Sequence, residues 1–467
     1  MSSIPLHSPT GRRLLGASIV GSGAVFLEGT VVNVALPSMA RDLGLGIEGV
    51  QWVINAYLLA LGALTLLGGA LGDRYGRHRL FAGGAFGFAA ATIGCALAPG
   101  ALVLLVLRFI QGSAGAMLVP NSLAMLEASF DAEERGTAIG RWAGWSAVST
   151  AIGPLLGGWL VDVGSWRWVF AVIAPVALVA AWLALGTPAA SDRGASHAID
   201  YVGAALMVLG LGGVTAGLID GPRLGFGEPL ILAMIATGAL LLVAFAFVEH
   251  RSASPLLPLT LFRSRPFTGA NVATVLMYAG LNGVIVFLIL QLQGNLGYSA
   301  LQSGLSLLPT NALMLVLSPR WGRFAHRHGA RGPMAGGALV AAVGMILFSR
   351  VAPGASYLTG VLPAVVVFGL GLSALVAPLT AAVLDAAPSE DAGVASGVNN
   401  AAARLAGLIA AAALPAAAGL GGMQRLSGVR FTQGFARAMW MCAGLAVLAA
   451  VVSWFTVGSA GSDQDPR

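Results

Sequence analysis

One acidic residue, Glu28, interrupts the long apolar run that follows the N-terminal segment. It lies about 14 residues into the run, which corresponds to about 21 Å along a helix, past the middle of a membrane. An unpaired ionised carboxyl group is costly there, so its charge depends on its surroundings, as proton coupling requires. The alternative is a permanently protonated structural glutamate. Thr30 and Asn33 lie near Glu28 on the helix and could share its hydrogen bonds.

Two arginines also fall inside apolar runs. Arg108 has Gln111 one turn away, and Arg404 follows Asn399 and Asn400. A guanidinium group cannot discharge, so each arginine must find a carboxylate, carbonyl oxygens or water. Each could therefore adjust the charge of a neighbouring acid or order a network in a cavity. The alternative for both is an arginine that reaches from near a helix end towards the membrane surface.

Other polar side chains in the apolar runs are candidates for lining a substrate cavity. Besides Arg404, these are Asn33, Gln111, Asn271, Asn282, Gln291 and Asn311. No group of residues has the spacing of a metal site, and neither Cys95 nor Cys442 belongs to a disulfide framework. The sequence therefore predicts no metal and no cofactor.

A short stretch rich in glycine and charge, residues 69–79, separates two long apolar runs and predicts a polar hinge between moving helices. Its motif residues are Gly69, Gly72, Asp73, Arg74, Gly76 and Arg77. A similar stretch occurs about 250 residues later, where Gly322, Arg327 and Gly329 recur and His326 replaces the aspartate. This internal repeat indicates two related halves, and its spacing leaves room for two extra helices between them.

A second glycine motif, Gly153-Pro154-Leu155-Leu156-Gly157-Gly158, lies within an apolar run. The proline removes a backbone hydrogen bond and kinks a helix. Gly153 and Gly157 are four residues apart, which predicts a smooth face for close contact with another helix. Ordinary packing of small residues is the alternative interpretation of this segment.

These residues must be positioned by helices in a membrane, because the 467 residues are 57% hydrophobic and only 9% charged. Such a chain cannot cover a normal soluble surface. The runs are continuous rather than alternating, so they predict helices and not a barrel. We count fourteen runs, near residues 14–37, 51–71, 80–98, 101–126, 138–161, 168–187, 201–219, 229–248, 267–292, 303–319, 333–350, 357–384, 393–418 and 435–457.

The distribution of arginine orients these helices. All 25 basic residues are arginine, and most fall in segments on the side of the N-terminus. The positive-inside rule then places both termini in the cytoplasm. A cleaved signal peptide is the weaker alternative for the first run, which is too long for one and contains Glu28. The net charge of +6 does not indicate nucleic-acid binding, because the arginines lie in short loops between helices.

Taken together, these motifs resemble the major facilitator superfamily, and within it the fourteen-helix drug:proton antiporter branch. Residues 69–79 are similar to its loop signature, residues 107–112 to its arginine motif, residues 153–158 to its antiporter motif and residues 27–37 to its first-helix motif. The chain departs from the family pattern at three positions: Glu28 replaces the usual aspartate, Ser149 a glycine, and Ile173 an asparagine.

The resemblance implies an all-α major facilitator fold with two six-helix bundles and two inserted helices. Residues 1–190 would form the N-terminal bundle, 191–262 the inserted helices, 263–460 the C-terminal bundle and 461–467 a polar tail. It also implies that the two bundles rock around a site at the midplane. Asp73 would dock on a helix end of the other half, Arg108 would help to couple protonation, and the antiporter motif would favour export.

The sequence therefore predicts a proton-driven exporter of small amphipathic or lipophilic compounds in the cell (inner) membrane. Its partners would be the substrate, protons and the lipid bilayer. A dedicated exporter of one endogenous metabolite or lipid is the main alternative. A proton symporter for uptake is disfavoured by the antiporter motif. An enzyme or sensor is disfavoured, because it would need a catalytic cluster or a soluble domain and the sequence shows neither. ATP-driven transport is excluded, because a phosphate-binding loop needs a lysine and the sequence has none.

Overall fold

A computed structural model describes residues 4–187, 199–252, 257, 259–388 and 392–458. In these ranges the chain forms fifteen α-helices and no β-strand. The helices are α1 (Pro9–Leu43), α2 (Ile47–Tyr75), α3 (Arg77–Leu97), α4 (Ala101–Ser129), α5 (Ala132–Val163), α6 (Trp166–Leu185), α7 (Tyr201–Leu224), α8 (Pro229–Arg251), α9 (Arg265–Asn295), α10 (Ala300–Ser306), α11 (Leu308–His328), α12 (Arg331–Phe348), α13 (Leu362–Asp385), α14 (Ala392–Ala417) and α15 (Val429–Thr456). A 3-10 turn, Leu259–Arg263, precedes α9, and a π-helical turn, Tyr357–Val361, precedes α13. The polar tail predicted at 461–467 lies outside the described residues.

Fourteen segments of the described chain are long and apolar enough to cross a membrane, with α10 and α11 forming one of them. The predicted multi-pass helical membrane protein with fourteen spans is therefore confirmed. The helices extend beyond the apolar runs, because hydropathy marks only the part of a helix that lies in hydrocarbon. The first run, predicted at 14–37, lies in a helix that starts after the Ser8 cap and ends at Gly44 with φ +64°.

The tenth span differs from its prediction as one continuous run at 303–319. It consists of two helices that meet at Leu307. The first helix, α10, begins with a capping box in which Ser299 and Gln302 satisfy each other's backbone N–H groups. Pro309 stands in the first turn of α11, where its missing N–H group costs nothing. Local capping therefore divides a span that hydropathy alone treats as one.

The chain divides into two compact units. Unit 1 contains Met1–Leu45, Trp52–Val214 and Met234–Leu256, and unit 2 contains Gly46–Gln51, Thr215–Ala233 and Leu257–Arg467. Helix α2 thus begins in unit 2 and continues in unit 1. Within unit 2, its first turn is bound to α14, because the Gln51 side-chain amide donates to the Ala411 carbonyl (2.8 Å). In an α-helix this carbonyl would accept from the N–H group of residue 415, but residue 415 is a proline and has no N–H group.

The internal repeat has matching backbone geometry in its two copies. Gly76 ends α2 with φ +104°, and Gly329 ends α11 with φ +90°. The Gly76 N–H group donates to the Gly72 carbonyl (2.9 Å), and the Gly329 N–H group donates to the Ala325 carbonyl (2.7 Å). Glycine adopts this left-handed backbone at no steric cost. The two stretches are therefore equivalent helix ends, one in each unit.

Candidate functional site

A buried ion pair joins Glu28 of α1 to Arg108 of α4 inside unit 1. Arg108 Nη1 donates to Glu28 Oε1, and the side chains are 2% and 0% exposed. Arg108 Nε also donates to the Val53 carbonyl of α2 (3.1 Å). The guanidinium lies 4.3 Å from the centre of the Tyr57 ring, a favourable cation–π distance. Arg108 is thus held inside the protein, and the alternative of an arginine that reaches to the membrane surface is wrong.

Gln111, predicted to line a substrate cavity, is instead part of this ion-pair network. It is fully buried, and its Oε1 accepts from Arg108 Nη1 (2.7 Å). Its Nε2 donates to the Thr92 hydroxyl of α3 (2.8 Å), and the Cys95 thiol lies 4.0 Å from its Oε1. The network consequently connects α1, α2, α3 and α4. Among the described residues of this network, Glu28 is the only carboxyl group and Arg108 the only cation.

Thr30 and Asn33 do not share the hydrogen bonds of Glu28, so that prediction is wrong. The Thr30 hydroxyl donates to the Leu27 carbonyl (3.1 Å), and Asn33 Nδ2 donates to the Gly29 carbonyl (3.2 Å). The reason is helical geometry: residues two and five positions after Glu28 project well away from its side. Asn33 remains at the partly exposed face of α1.

The motif of residues 153–158 packs directly on α1, close to Glu28. A Cβ atom on Gly153 would collide with the Thr30 hydroxyl, and one on Gly157 would lie 2.7 Å from both the Val31 carbonyl and its Cγ2. Pro154 and Gly158 are buried in the same stretch of α5. The predicted close contact therefore exists, and it involves residues two and three positions after Glu28.

The glycines of the stretch 69–79 bring α2 against α4. A Cβ atom on Gly72 would overlap the Asn121 side-chain amide, and one on Gly69 would contact Pro120 at 3.7 Å. Asn121 Nδ2 donates to the Gly68 carbonyl (2.9 Å). Gly72 is thus required by a close approach of the two helices, whereas a Cβ atom on Gly69 would make only ordinary van der Waals contact.

The charged residues of the same stretch lie at the surface. Asp73 and Arg77 form an ion pair at 2.8 Å, with side chains 47% and 32% exposed. Arg77 also donates to the Ala124 carbonyl in α4 (3.0 Å), while the Arg74 side chain is exposed near the Tyr75 ring. The His78 ring lies against the Ala184 carbonyl at the end of α6. Arg77 thus reaches a carbonyl inside α4, and the His78 ring lies at the carbonyl end of α6.

Comparison with known proteins identifies the family of this fold and site. A model of the Major Facilitator Superfamily matches residues 19–411. This chain belongs to the major facilitator superfamily. It is a membrane transporter with the major facilitator fold, as the resemblance implied.

Two relatives agree with this family assignment, and a solved structure agrees with the fold. The chain is 36% identical to the puromycin resistance protein pur8 of Streptomyces alboniger, over 98% of this chain and 95% of that protein. It is 35% identical to the tetracenomycin C resistance and export protein of Streptomyces glaucescens, over 85% of this chain and 74% of that protein. A crystal structure of a D-xylose-proton symporter superposes with a TM-score of 0.65 at 17% identity, covering 96% of each chain. That likeness concerns the fold alone.

In unit 2 of the transporter, several predicted cavity residues lie where α9 and α14 meet. Asn271 is buried, and its Oδ1 accepts from Asn399 (3.3 Å). Asn282 lies against Gly407, and Arg404 is half-buried within electrostatic reach of the Tyr278 hydroxyl. These residues lie on the helices predicted from the sequence. The structure brings them together as a polar seam between α9 and α14.

Two other candidates in unit 2 lie elsewhere. Gln291 is fully buried, and its Nε2 donates to the Val351 carbonyl (3.0 Å). Its Oε1 accepts from Asn295 (2.8 Å), so its amide fixes backbone and neighbouring side chains. Asn311 is half-buried near the start of α11. Both ends of the Gln291 amide are therefore used in hydrogen bonds inside the protein.

Three groups that hold Arg108 are not among the predicted site residues: the Val53 carbonyl, the Tyr57 ring and, through Gln111, the Thr92 hydroxyl. A backbone carbonyl leaves no trace in residue type, and an uncharged threonine in an apolar run is ordinary. Only Tyr57 carried a weak signal, as a tyrosine in the middle of an apolar run.

Proposed function

We propose that this transporter exports small amphipathic or lipophilic compounds, including antibiotics, in exchange for protons. The observation that carries the proposal is the buried pair of Glu28 and Arg108. A carboxyl group with one cationic partner and no access to solvent can exist in two charge states whose balance depends on its partners. That is the property of a proton-coupling site.

The proposed coupling uses groups of unit 1. A proton that enters from outside neutralises Glu28 and weakens its bond to Arg108. The guanidinium then relies on the Val53 carbonyl and Gln111 Oε1, which already accept from it. Gly153 and Gly157 pack on α1 within one turn of Glu28, so a small movement of α1 is passed to α5.

The names of two relatives support the substrate class. One is a puromycin resistance protein and the other a tetracenomycin C resistance and export protein. These names also favour the second candidate function, a dedicated exporter of one endogenous metabolite, because each refers to one compound. Broad resistance to unrelated compounds on expression would favour the first candidate. Resistance to one compound class would favour the second.

The remaining features are part of the same proposal. We place the protein in the cell (inner) membrane with both termini in the cytoplasm, following the arginine distribution. Residues 1–190 and 263–460 would act as two bundles in alternating access, with the inserted helices at 191–262 between them in sequence. Asp73 would stabilise one state of the cycle, and the motif at 153–158 would favour export.

Efflux of ethidium from cells that express the wild type or Glu28→Gln tests this function. Energised wild-type cells should lose dye, and a protonophore should stop this loss. Glu28→Gln should be inactive although it is present in the membrane at the wild-type level. Immunoblotting of isolated membranes provides that control.

A further inference from the structure

The hydrogen bonds of Thr92 determine the orientation of the Gln111 amide. The Thr92 hydroxyl donates its single proton to the Phe88 carbonyl, one turn earlier in α3 (2.6 Å). Towards Gln111 it can only accept, because a hydroxyl group has one proton. Gln111 must therefore turn its NH2 group to Thr92 (2.8 Å) and its oxygen to Arg108 (2.7 Å). All three side chains are buried.

This orientation matters for a cation that cannot lose its charge. With the Gln111 oxygen towards it, Arg108 has two neutral acceptors, the other being the Val53 carbonyl (3.1 Å). Both remain available when Glu28 takes up a proton. In the reversed orientation, the Gln111 NH2 group would face the guanidinium, and the two could not form a hydrogen bond because both are donors. Glu28 would then become the main partner of Arg108. Protonation of Glu28 would then leave a buried cation poorly satisfied.

We propose that Thr92 is a positioning residue for proton coupling: it fixes Gln111 so that Arg108 can release Glu28 when Glu28 is protonated. The proposal rests on the proton-coupled function proposed above and concerns the regulation of the same site. The hydrogen bonds of the Thr92 side chain go to Gln111 and to the Phe88 carbonyl, so Thr92 acts on the ion pair through Gln111.

Few other titratable groups of the described chain face this network. Tyr57 from α2 lies under the guanidinium, and Cys95 from α3 lies 4.0 Å from Gln111 Oε1. From α6, the neighbour is Phe170, which does not titrate. From α5, the residues against α1 near Glu28 are Gly153 and Gly157. Glu28 is therefore the group whose protonation Thr92 would affect.

The test compares Thr92→Val with Thr92→Ser in reconstituted vesicles, with substrate transport measured as a function of pH. Valine keeps the branched shape and removes the hydroxyl, whereas serine keeps the hydroxyl. In Thr92→Val, protonation of Glu28 requires more acid, so the pH of half-maximal transport should fall by on the order of one pH unit. Thr92→Ser should restore the wild-type profile.

A matched control is Thr65→Val in α2. Thr65 is a buried threonine whose hydroxyl donates to the Leu61 carbonyl of its own helix, as Thr92 does within α3. Its substitution should leave the pH profile unchanged. If Thr92→Val does not accumulate in the membrane, Thr92→Ala removes the same hydroxyl with less steric demand. An unchanged profile in the hydroxyl-free variant would overturn the proposal, as would an equal shift in Thr92→Ser.

A separate measurement distinguishes this proposal from the function on which it rests. If a protonophore leaves wild-type efflux unchanged, the proton-coupled function fails. Infrared titration of the protonated carboxyl band, assigned by its loss in Glu28→Gln, then decides the role of Thr92. A lower midpoint for this band in Thr92→Val supports the role of Thr92. The same midpoint in both proteins rejects it.

Discussion

Arg108 Nη1 donates to both Glu28 Oε1 and Gln111 Oε1, so one nitrogen of the guanidinium serves a charged and a neutral acceptor. Both acceptors are fully buried. A change in the charge of Glu28 therefore shifts the balance between two partners that are already in place. This arrangement requires no large side-chain movement to respond to a proton.

Removal of one partner of the pair should be more harmful than removal of both. Arg108→Gln leaves the Glu28 carboxyl buried without its cation, and we expect a loss of about 3–5 kcal/mol in the free energy of unfolding. In Glu28→Gln/Arg108→Gln, two neutral amides replace the charges, and most of this loss should be recovered. Transport should remain absent in both. Thermal unfolding in detergent measures the first quantity, and vesicle transport the second.

The exposed pair of Arg167 and Asp42 is the matched control for that experiment. Its two charged atoms are 2.6 Å apart, but the side chains are 37% and 48% exposed. Arg167→Gln should change stability by no more than about 1 kcal/mol, because water solvates the remaining charge. A double variant of the buried pair that is as unstable as Arg108→Gln would contradict a charge-pair role.

The contact between α5 and α1 should not accept a methyl group at Gly157. The Val31 carbonyl and Cγ2 both lie 2.7 Å from the position of the added Cβ. We expect Gly157→Ala to lower stability by about 1–3 kcal/mol and to reduce efflux. Gly144→Ala, on the same helix with nothing within 4 Å, is the control and should be neutral or stabilising. Equal behaviour of the two variants would mean that α5 does not need this close contact.

A parallel experiment addresses the approach of α2 to α4. In Gly72→Ala, the new Cβ would overlap the Asn121 amide, so this variant should also lose about 1–3 kcal/mol. Truncation of the obstacle should help: Gly72→Ala should be less costly in an Asn121→Ala background than in the wild type. Additive losses in the double variant would show that Gly72 and Asn121 do not interact. Thermal unfolding of the four proteins completes the cycle.

Asp73 should matter for transport and not for stability. Its ion pair with Arg77 is exposed and lies within one turn, which contributes at most about 1 kcal/mol. Asp73→Asn should therefore unfold at nearly the wild-type temperature. If Asp73 stabilises one state of the cycle, as proposed, the efflux rate should fall several-fold. A variant with wild-type efflux would remove Asp73 from the mechanism.

The sequence was sufficient to predict the number of spans and the family, because lipid demands long apolar helices and few charges. The same rarity of charge made Glu28 and Arg108 stand out as functional candidates. The internal repeat was also visible, and the matching φ angles of Gly76 and Gly329 now give it a structural basis. These features are recorded in residue type and spacing.

Other features depend on contacts between helices and could not be read from one sequence. Glu28 and Arg108 are 80 residues apart in the chain, and nothing in either run specifies that they meet. Gln111 is a candidate for a cavity wall by sequence, whereas in the structure its side chain is fully buried and hydrogen-bonded to Arg108 and Thr92. The break between α10 and α11 at Leu307 could not be predicted from hydropathy, because hydropathy does not depend on the hydrogen bonds that cap a helix.

The most direct test of proton coupling at Glu28 is dye efflux from cells that express the wild type, Glu28→Gln or Glu28→Asp, with and without a protonophore. We predict that the protonophore abolishes wild-type efflux, and that Glu28→Gln is inactive although it is inserted at the normal level. Glu28→Asp should keep measurable efflux, because it retains a carboxyl group next to Arg108. If Glu28→Gln still drives efflux that depends on the proton gradient, Glu28 is a structural residue and the proposed coupling site is wrong.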